Sequence, residues 1–295
     1  MSSRTYYDPL HQSITLNSSI PEEKMVMELI DSSPFQRLRR IKQLGPAYLT
    51  FHGAESSRFT HSLGVFHLAR RAINHLLNVD SGLKEHKFII YGAALLHDLG
   101  HGPLSHTSEE IFKIKHESWT AKLINSSKEI TTILNKYGKG NAKAISDLIR
   151  SRKTEKKSII SLISSQLDCD RLDYLMRDSY TTGARYGQLD IDRIISAMTI
   201  SPDGDLAIHP KGLMAVEHYL VIRNLMYRSV YNHRLNEVCN WLLEQIIKTA
   251  RKIGPQNLWA DKSMSEWLWN LSPIHISEPT RRYAISYAVF CLKKK

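Results

Sequence analysis

Three stretches of this 295-residue chain carry side chains able to hold a metal ion. In His97-Asp98-Leu99-Gly100-His101-Gly102-Pro103-Leu104-Ser105-His106, a histidine and an aspartate stand side by side in the nearly continuous apolar run from Phe88 to Leu99. Neighbours on a helix project about 100° apart, so an imidazole nitrogen and a carboxylate oxygen can meet one ion. Burying that pair without partners would be costly. The glycine-rich turn that follows brings His101 and His106 toward the same ion, and Gly100 and Gly102 are expected to let backbone and substrate approach closely. Upstream, Arg58-Phe59-Thr60-His61-Ser62-Leu63-Gly64 supplies another histidine beside an arginine. Downstream, Leu167-Asp168-Cys169-Asp170-Arg171-Leu172-Asp173-Tyr174 sets carboxylates among apolar residues, and at least one should face inward. An ion held by such groups acidifies bound water, and a nearby imidazole titrates in the right range to move a proton.

The elements that must position these groups read as helices. Thr5–Leu16 mixes β-branched and aromatic residues around Asp8-Pro9 and predicts a short hairpin. Pro21-Glu22-Glu23 opens a helix through Leu29, and Ser33-Pro34 opens another over Phe35–Leu44, stopped by Gly45-Pro46. Helices are also expected over Ser62–Leu77 and Phe88–Leu99. Asn135–Lys157 is basic and interrupted by Gly138 and Gly140, which predicts an exposed excursion between core helices. Ser201–Asp205 is a turn joining two short strands, and Leu213–Ile253 resumes long amphipathic helices. The expected fold is mainly all-α with minor short β-hairpins, in one domain over residues 1–270, without internal repeats.

A net charge of +11 suits a polyanionic partner, either nucleic acid or a triphosphate, but the cations are scattered and no nucleic-acid-binding motif accompanies them. Nucleic-acid binding is therefore expected to be weak. MSSRTYYDPLHQ has neither a signal-peptide nor a transit-peptide pattern, and no stretch reaches the roughly 18 apolar residues of a membrane span. A cytoplasmic protein without a membrane partner is the expectation. Cys169, Cys239 and Cys291 show no paired spacing, so ligands are sought among His, Asp and Glu. Residues 271–295, LSPIHISEPTRRYAISYAVFCLKKK, resemble a translated sequencing adapter: IHISEPTR matches a transposon end and ISYAVFCLKKK the far adapter end, separated by an index-sized gap. They are read as a non-native tail, the natural chain departing near Asn270. The tail holds five of the 40 Lys/Arg and one of the 29 Asp/Glu, so without it the net charge is +7.

Together the three ligand-bearing stretches resemble the HD-domain phosphohydrolases, in which His, then His-Asp, then Asp supply four metal ligands. The resemblance implies an HD-domain helical bundle with the ion held by His61, His97, Asp98 and Asp170. Such a nitrogen and oxygen set suits Mn, Mg, Fe, Ni or Zn without choosing among them. FQRLRRIKQLG, SSRFTHSLGV, HDLGHGPLSH, KHESW and DCDRLDYLMRDS occur in the order of the deoxynucleoside triphosphate triphosphohydrolase (dGTPase-like) branch, a similarity running from Tyr7 to Lys248. By that resemblance His106 acts beside the α-phosphate with Glu109 as acidic partner. His101 and His116 are further site histidines, with Glu117 beside His116. Gln43 and Leu44 read the sugar and exclude a 2′-hydroxyl. Arg58, Arg171 and Arg223 contact phosphate, Arg171 standing where relatives often carry lysine. Tyr174 and Asp178 contact the sugar, and Tyr231 closes its pocket. Tyr227 departs from a histidine of some relatives, which puts one phosphate or catalytic contact in question.

The implied reaction takes a deoxynucleoside triphosphate and water to deoxynucleoside and triphosphate. The alternatives are the same centre acting on a nucleoside monophosphate, a cyclic nucleotide or a guanosine alarmone, or a nucleic-acid-binding regulatory protein on the HD scaffold. The resemblance also implies homo-oligomers of the full-length form and room for an allosteric nucleotide. Asp168 and Asp173 read more simply as caps or arginine partners, His67 as packed or surface, and Trp119, Trp241 and Tyr219 as core rather than base-stacking platforms.

Overall fold

The N-terminal hairpin forms where Asp8 accepts the backbone N–H groups of Leu10 and His11 at 2.9 and 3.0 Å, a local turn that the Asp-Pro pair favours. Strands β1 (Ser3–Asp8) and β2 (Gln12–Asn17) pair antiparallel, Ser3 opposite Asn17, with Ile14 and Leu16 turned into the core. The computed structural model describes residues 3–154, 156–260 and 262–270. The adapter-like segment 271–295, with Cys291, lies outside the described residues.

Helices make up almost all of the rest. In chain order they are α1 (Pro21–Asp31), α2 (Ser33–Gln36), α3 (Arg58–Leu76), α4 (Lys87–Leu96), α5 (His106–Phe112), α6 (His116–Ser126) and α7 (Lys128–Lys136). They continue with α8 (Asn141–Ser151), α9 (Lys157–Ile163), α10 (Cys169–Thr182), α11 (Ile191–Ala197), α12 (Leu213–Met226), α13 (Arg234–Ile253) and α14 (Lys262–Ser265). Between α11 and α12 the antiparallel pair β3 (Met198–Ile200) and β4 (Leu206–Ile208) closes around the predicted turn. The expected all-α architecture holds.

The central helix is α3, which packs on α4 and α10. Phe66, Leu68, Ala69, Ala72 and Ile73 of α3 meet Ala93, Ala94 and Leu95 of α4 and Leu172 and Leu175 of α10 in one core. The helices that carry or adjoin the candidate ligands are thus packed against one another within the core. A smaller apolar cluster, including Ile111, Ile247, Trp267 and Leu268, joins α5, α13 and the C-terminal turn.

Five expectations need correction. The helix expected over Phe35–Leu44 becomes α2, a 3₁₀ turn at Arg37–Arg40, and an extended residue at Ile41. There the backbone pairs elsewhere: Gln43 N–H donates to Ser56 O at 2.8 Å and Arg58 N–H to Ile41 O at 2.8 Å. Helix α3 begins a turn earlier than Ser62, because Ser57 caps it by accepting from Thr60 N–H. Helix α4 stops at Leu96, with His97 as its cap residue and Asp98 just beyond.

The fourth concerns residues 135–157, which are not an exposed excursion. Ala142, Ile145, Leu148 and Ile149 give α8 a buried stripe at helical spacing. A Cβ on Gly92 would lie 2.4 Å from Ile145 Cδ1, so α8 sits hard against α4. Trp241 is also misplaced by the sequence reading: it is 58% exposed, because α13 turns Asn236, Ile247 and Ala250 inward instead. Tyr219 is core as expected, its hydroxyl donating to Gln166 O at 2.6 Å.

Candidate functional site

His61 lies in the first turn of α3, His97 and Asp98 at the end of α4, and Asp170 in the first turn of α10. Packing of these helices sets His61 Nε2 3.0 Å from Asp170 Oδ1 and 3.3 Å from His97 Nε2. His97 Nε2 is 3.7 Å from Asp170 Oδ1 and 3.4 Å from Asp98 Oδ1. Opposite the other ring nitrogens stand oxygens, Asp173 Oδ2 at 2.8 Å from His61 Nδ1 and Ala94 O at 2.9 Å from His97 Nδ1. Each Nδ1 therefore carries the proton. Both Nε2 lone pairs and a carboxylate oxygen are left pointing at one another, an arrangement that needs a cation or a proton between them. The donor set fits a divalent ion of the Mn, Mg, Fe, Ni or Zn kind. Burial alone would depress His61, but Asp170, Asp173 and Asp98 outweigh it and push the imidazole up to about 10. Positive charge is strongly favoured at this point.

Asp98 is shared. One oxygen takes the Arg58 guanidinium, while Oδ1 stands 3.4 Å from His97 Nε2 and 3.4 Å from His101 Nε2. Despite burial, Arg58, His97 and His101 hold its carboxyl well below the usual carboxylate range. Arg58 also donates to Ser105 Oγ at 3.0 Å and Gln43 O at 3.3 Å, which commits its guanidinium to the protein. Arg58, expected at the phosphates, is held in the cavity wall by these internal ties.

A second group assembles on α5 and α6. His101 Nδ1, His106 Nδ1 and His116 Nδ1 lie 3.3, 3.1 and 2.8 Å from Glu109 Oε1. The His101 and His116 rings stack at 3.9 Å. Burial, Arg58 and His116 push His101 well down, so it is neutral. Glu109 is lowered, its hydrogen bonds to His106 and His116 outweighing burial. His106 is the open member, its side chain 66% exposed. Leu104 and Ser105 precede it with φ of 66° and 50°, a left-handed pair of non-glycine residues of the kind that clusters at functional sites. The role expected for Gly100 changes: its close neighbour is helix α6, since a Cβ would lie 2.3 Å from Thr120 N. Thr120 Oγ1 accepts from Gly100 N–H and donates to His97 O, tying the two groups together.

Both groups open onto a cavity of about 840 Å³. Its wall contains His97, Asp98, Asp170, His106 and His116. It also contains Gln43, Leu44, Tyr174, Asp178 and Tyr231, together with Arg58 and Arg171. Tyr231 is aimed by a π-helical turn, Tyr227–Tyr231, and donates to Asp178 Oδ2 at 2.9 Å. Burial pushes Asp178 up to about 7. Asp178 Oδ1 and Gln43 Oε1 are buried acceptors without a hydrogen-bond partner. They suit a ligand that brings donors, such as sugar hydroxyls. Tyr227, where some relatives carry histidine, lines the same wall.

The structure does not bring every expected residue into that wall. Arg223 donates to Gln166 Oε1 at 2.7 Å and is outside the lining; His101 and Glu109 stand behind His106 and His116. Three cations that the sequence reading missed, Lys115, Arg150 and Arg152, do line it. Only their position at the end of α8 and the start of α6 brings them there, and nothing local in the sequence signals it. Asp168 caps α10, accepting from Arg171 N–H at 2.7 Å, and Asp173 pairs with Arg177.

Comparison with known proteins matches residues 58–180 to the HD domain and residues 189–262 to the HD associated region. The uncharacterized protein YwfO of Bacillus subtilis is 40% identical over 254 residues, 85% of this chain and 56% of that protein. A deoxynucleoside triphosphate triphosphohydrolase, the SAMHD1 homolog of Dictyostelium discoideum, is 30% identical over 241 residues, 76% of this chain and 46% of that protein. The chain thus spans about half the length of these relatives. The crystal structure of a phosphohydrolase from Bacteroides thetaiotaomicron matches with a TM-score of 0.83 at 28% identity, covering 98% of this chain and 72% of that one. A hypothetical protein from Aquifex aeolicus matches at 33% identity and a TM-score of 0.75, covering 93% and 70%. With the domain match lying over the very helices that gather the His and Asp side chains, the chain carries an HD domain over residues 58–180, followed by an HD associated region.

Proposed function

We propose that this protein is a metal-dependent phosphohydrolase that converts deoxynucleoside triphosphates to deoxynucleoside and triphosphate. The observation that carries the reading is one cavity whose wall combines a His/Asp cluster with cations and with polar and aromatic side chains. Similarity to proteins named deoxynucleoside triphosphate triphosphohydrolases supports the substrate class.

His61, His97 and Asp170 would hold the ion, with Asp98 beside them. A divalent ion bound there supplies acidified water and Lewis-acid polarisation of a phosphoryl oxygen. Arg171, Lys115, Arg150 and Arg152 offset the charge of the phosphates along the wall. Arg171 is braced through Nε, which donates to Ser165 O at 2.9 Å and stands 3.7 Å from Asp168 Oδ2, so its terminal nitrogens can serve the phosphates. Glu109 holds the Nδ1 side of His106, leaving Nε2 as the nitrogen that carries or takes a proton at the α-phosphate. Gln43, Leu44, Asp178 and Tyr231 enclose the sugar, where the two orphaned acceptors meet its hydroxyls.

Incubation with each dNTP and rNTP across several divalent metals, with products resolved by chromatography, tests the reading. Inorganic triphosphate and a preference for deoxy substrates are expected; orthophosphate or pyrophosphate as product would overturn it. His97→Ala and Asp170→Ala should each lose metal and turnover together, to below about a thousandth of the parent rate.

A further inference from the structure

His61 is clamped at both ring nitrogens by one helix. Asp170 and Asp173, three residues apart on α10, share a face, and His61 lies between them with Nε2 toward Asp170 and Nδ1 toward Asp173. Asp173 is fully buried, and four donors saturate it: His61 Nδ1 at 2.8 Å, His11 Nε2 at 2.6 Å, and Arg177 Nε and Nη2 at 2.7 and 2.9 Å. His11 comes from the N-terminal hairpin, 162 residues away in sequence, and its side chain is only 4% exposed. Asp8 aims it, because Oδ1 takes the His11 N–H while Oδ2 takes Arg177 Nη1 at 2.8 Å. Gly64, one turn after His61, leaves the space for this carboxylate: a Cβ there would lie 1.8 Å from Asp173 Oδ1.

We propose that the hairpin turn is part of the metal centre's support, with Asp8 and His11 acting through Asp173 as positioning residues that hold the His61 imidazole in its metal-binding tautomer and orientation. The inference rests on the reading of His61, His97 and Asp170 as metal ligands. None of Asp8, His11, Asp173 or Arg177 lines the cavity, so their effect reaches the ion only through His61. A carboxylate behind a ligating imidazole raises its basicity and fixes its ring, and loss of such a partner costs about 10–100-fold in metal affinity.

The test is titration of the purified chain with Co²⁺, reading the visible d–d bands and the dissociation constant by chelator competition, with thermal unfolding alongside. His11→Ala and Gly64→Ala should each weaken Co²⁺ binding at least about tenfold and shift the band envelope. His11→Gln, whose amide nitrogen can stand where Nε2 stands, should recover most of the affinity, and Asp8→Asn should fall between. Two results separate the possible failures. If the parent chain binds no Co²⁺, or His97→Ala binds it as well as the parent, the metal reading falls and this inference with it. If the parent binds, His97→Ala does not, and folded His11→Ala binds within twofold of the parent, the positioning role alone is overturned. Should His11→Ala fail to fold, folded His11→Asn carries the same comparison: affinity equal to that of His11→Gln would overturn the role, because the shorter amide cannot reach Asp173.

Discussion

At the scale of single residues, the carboxylates are divided among different partners. Asp170 faces His61 Nε2 and Asp173 faces His61 Nδ1, while Asp98 divides its two oxygens between Arg58 and the histidines. Asp178 is different, since its nearest partner is the neutral Tyr231 hydroxyl and burial holds it up to about 7. An unfolded aspartate titrates near ~4, so the folded chain holds an extra proton between about 4 and 7. Stability is undiminished below the lower value and falls as pH rises through the upper one, by at most about 1.4 kcal/mol per pH unit across that window. Asp178→Asn should remove this slope: between pH 4.5 and 7.5 its unfolding free energy, measured in urea, should fall less than the parent's. Parallel curves for the two proteins would show that Asp178 is ionised throughout.

At the scale of elements, helix α8 shows how composition misleads. The glycines and lysines of residues 135–157 read as a solvated loop, yet every third or fourth residue from Ala142 to Ile149 is buried against α4 and α6. Ile145→Ala is expected to destabilise the chain by about 2–5 kcal/mol in urea unfolding, where a surface position would cost under about 0.5. The segment at Ile41–Leu44 shows the opposite error. Its helical periodicity is overridden because Arg37 reaches the carbonyls of Leu99 and His101 at 2.5 and 2.8 Å and the chain beyond pairs with Ser56–Arg58. That extended stretch is what sets Gln43 and Leu44 into the cavity wall.

At the scale of the whole molecule, cations from separate segments come to line one cavity. Arg150 and Arg152, from the basic stretch at the end of α8, and Lys115, at the start of α6, are exposed residues of that lining. The double variant Arg150→Glu/Arg152→Glu should raise KM for a triphosphate substrate by about tenfold at low salt, with the gap to the parent narrowing as ionic strength rises toward ~0.5 M. An unchanged KM would place the phosphates against another wall.

That His61, His97 and Asp170 come together was foreshadowed in the sequence by the family resemblance, and the burial of the His97-Asp98 pair by its place in an apolar run, where such groups must be paired or bound. The helical class was legible for a similarly local reason, the 3.6-residue recurrence of apolar side chains. Three carboxylates within six residues, Asp168, Asp170 and Asp173, were not separable that way. Their division into the cap of α10 and the partners of the two ring nitrogens of His61 depends on where α10 crosses α3. The exclusion of Arg223, the inclusion of Arg150 and Arg152, and the reach of His11 to Asp173 likewise belong to tertiary packing, since each depends on contacts between segments tens to more than a hundred residues apart. Local propensity cannot encode such contacts; close packing of the α3, α4 and α10 core decides them.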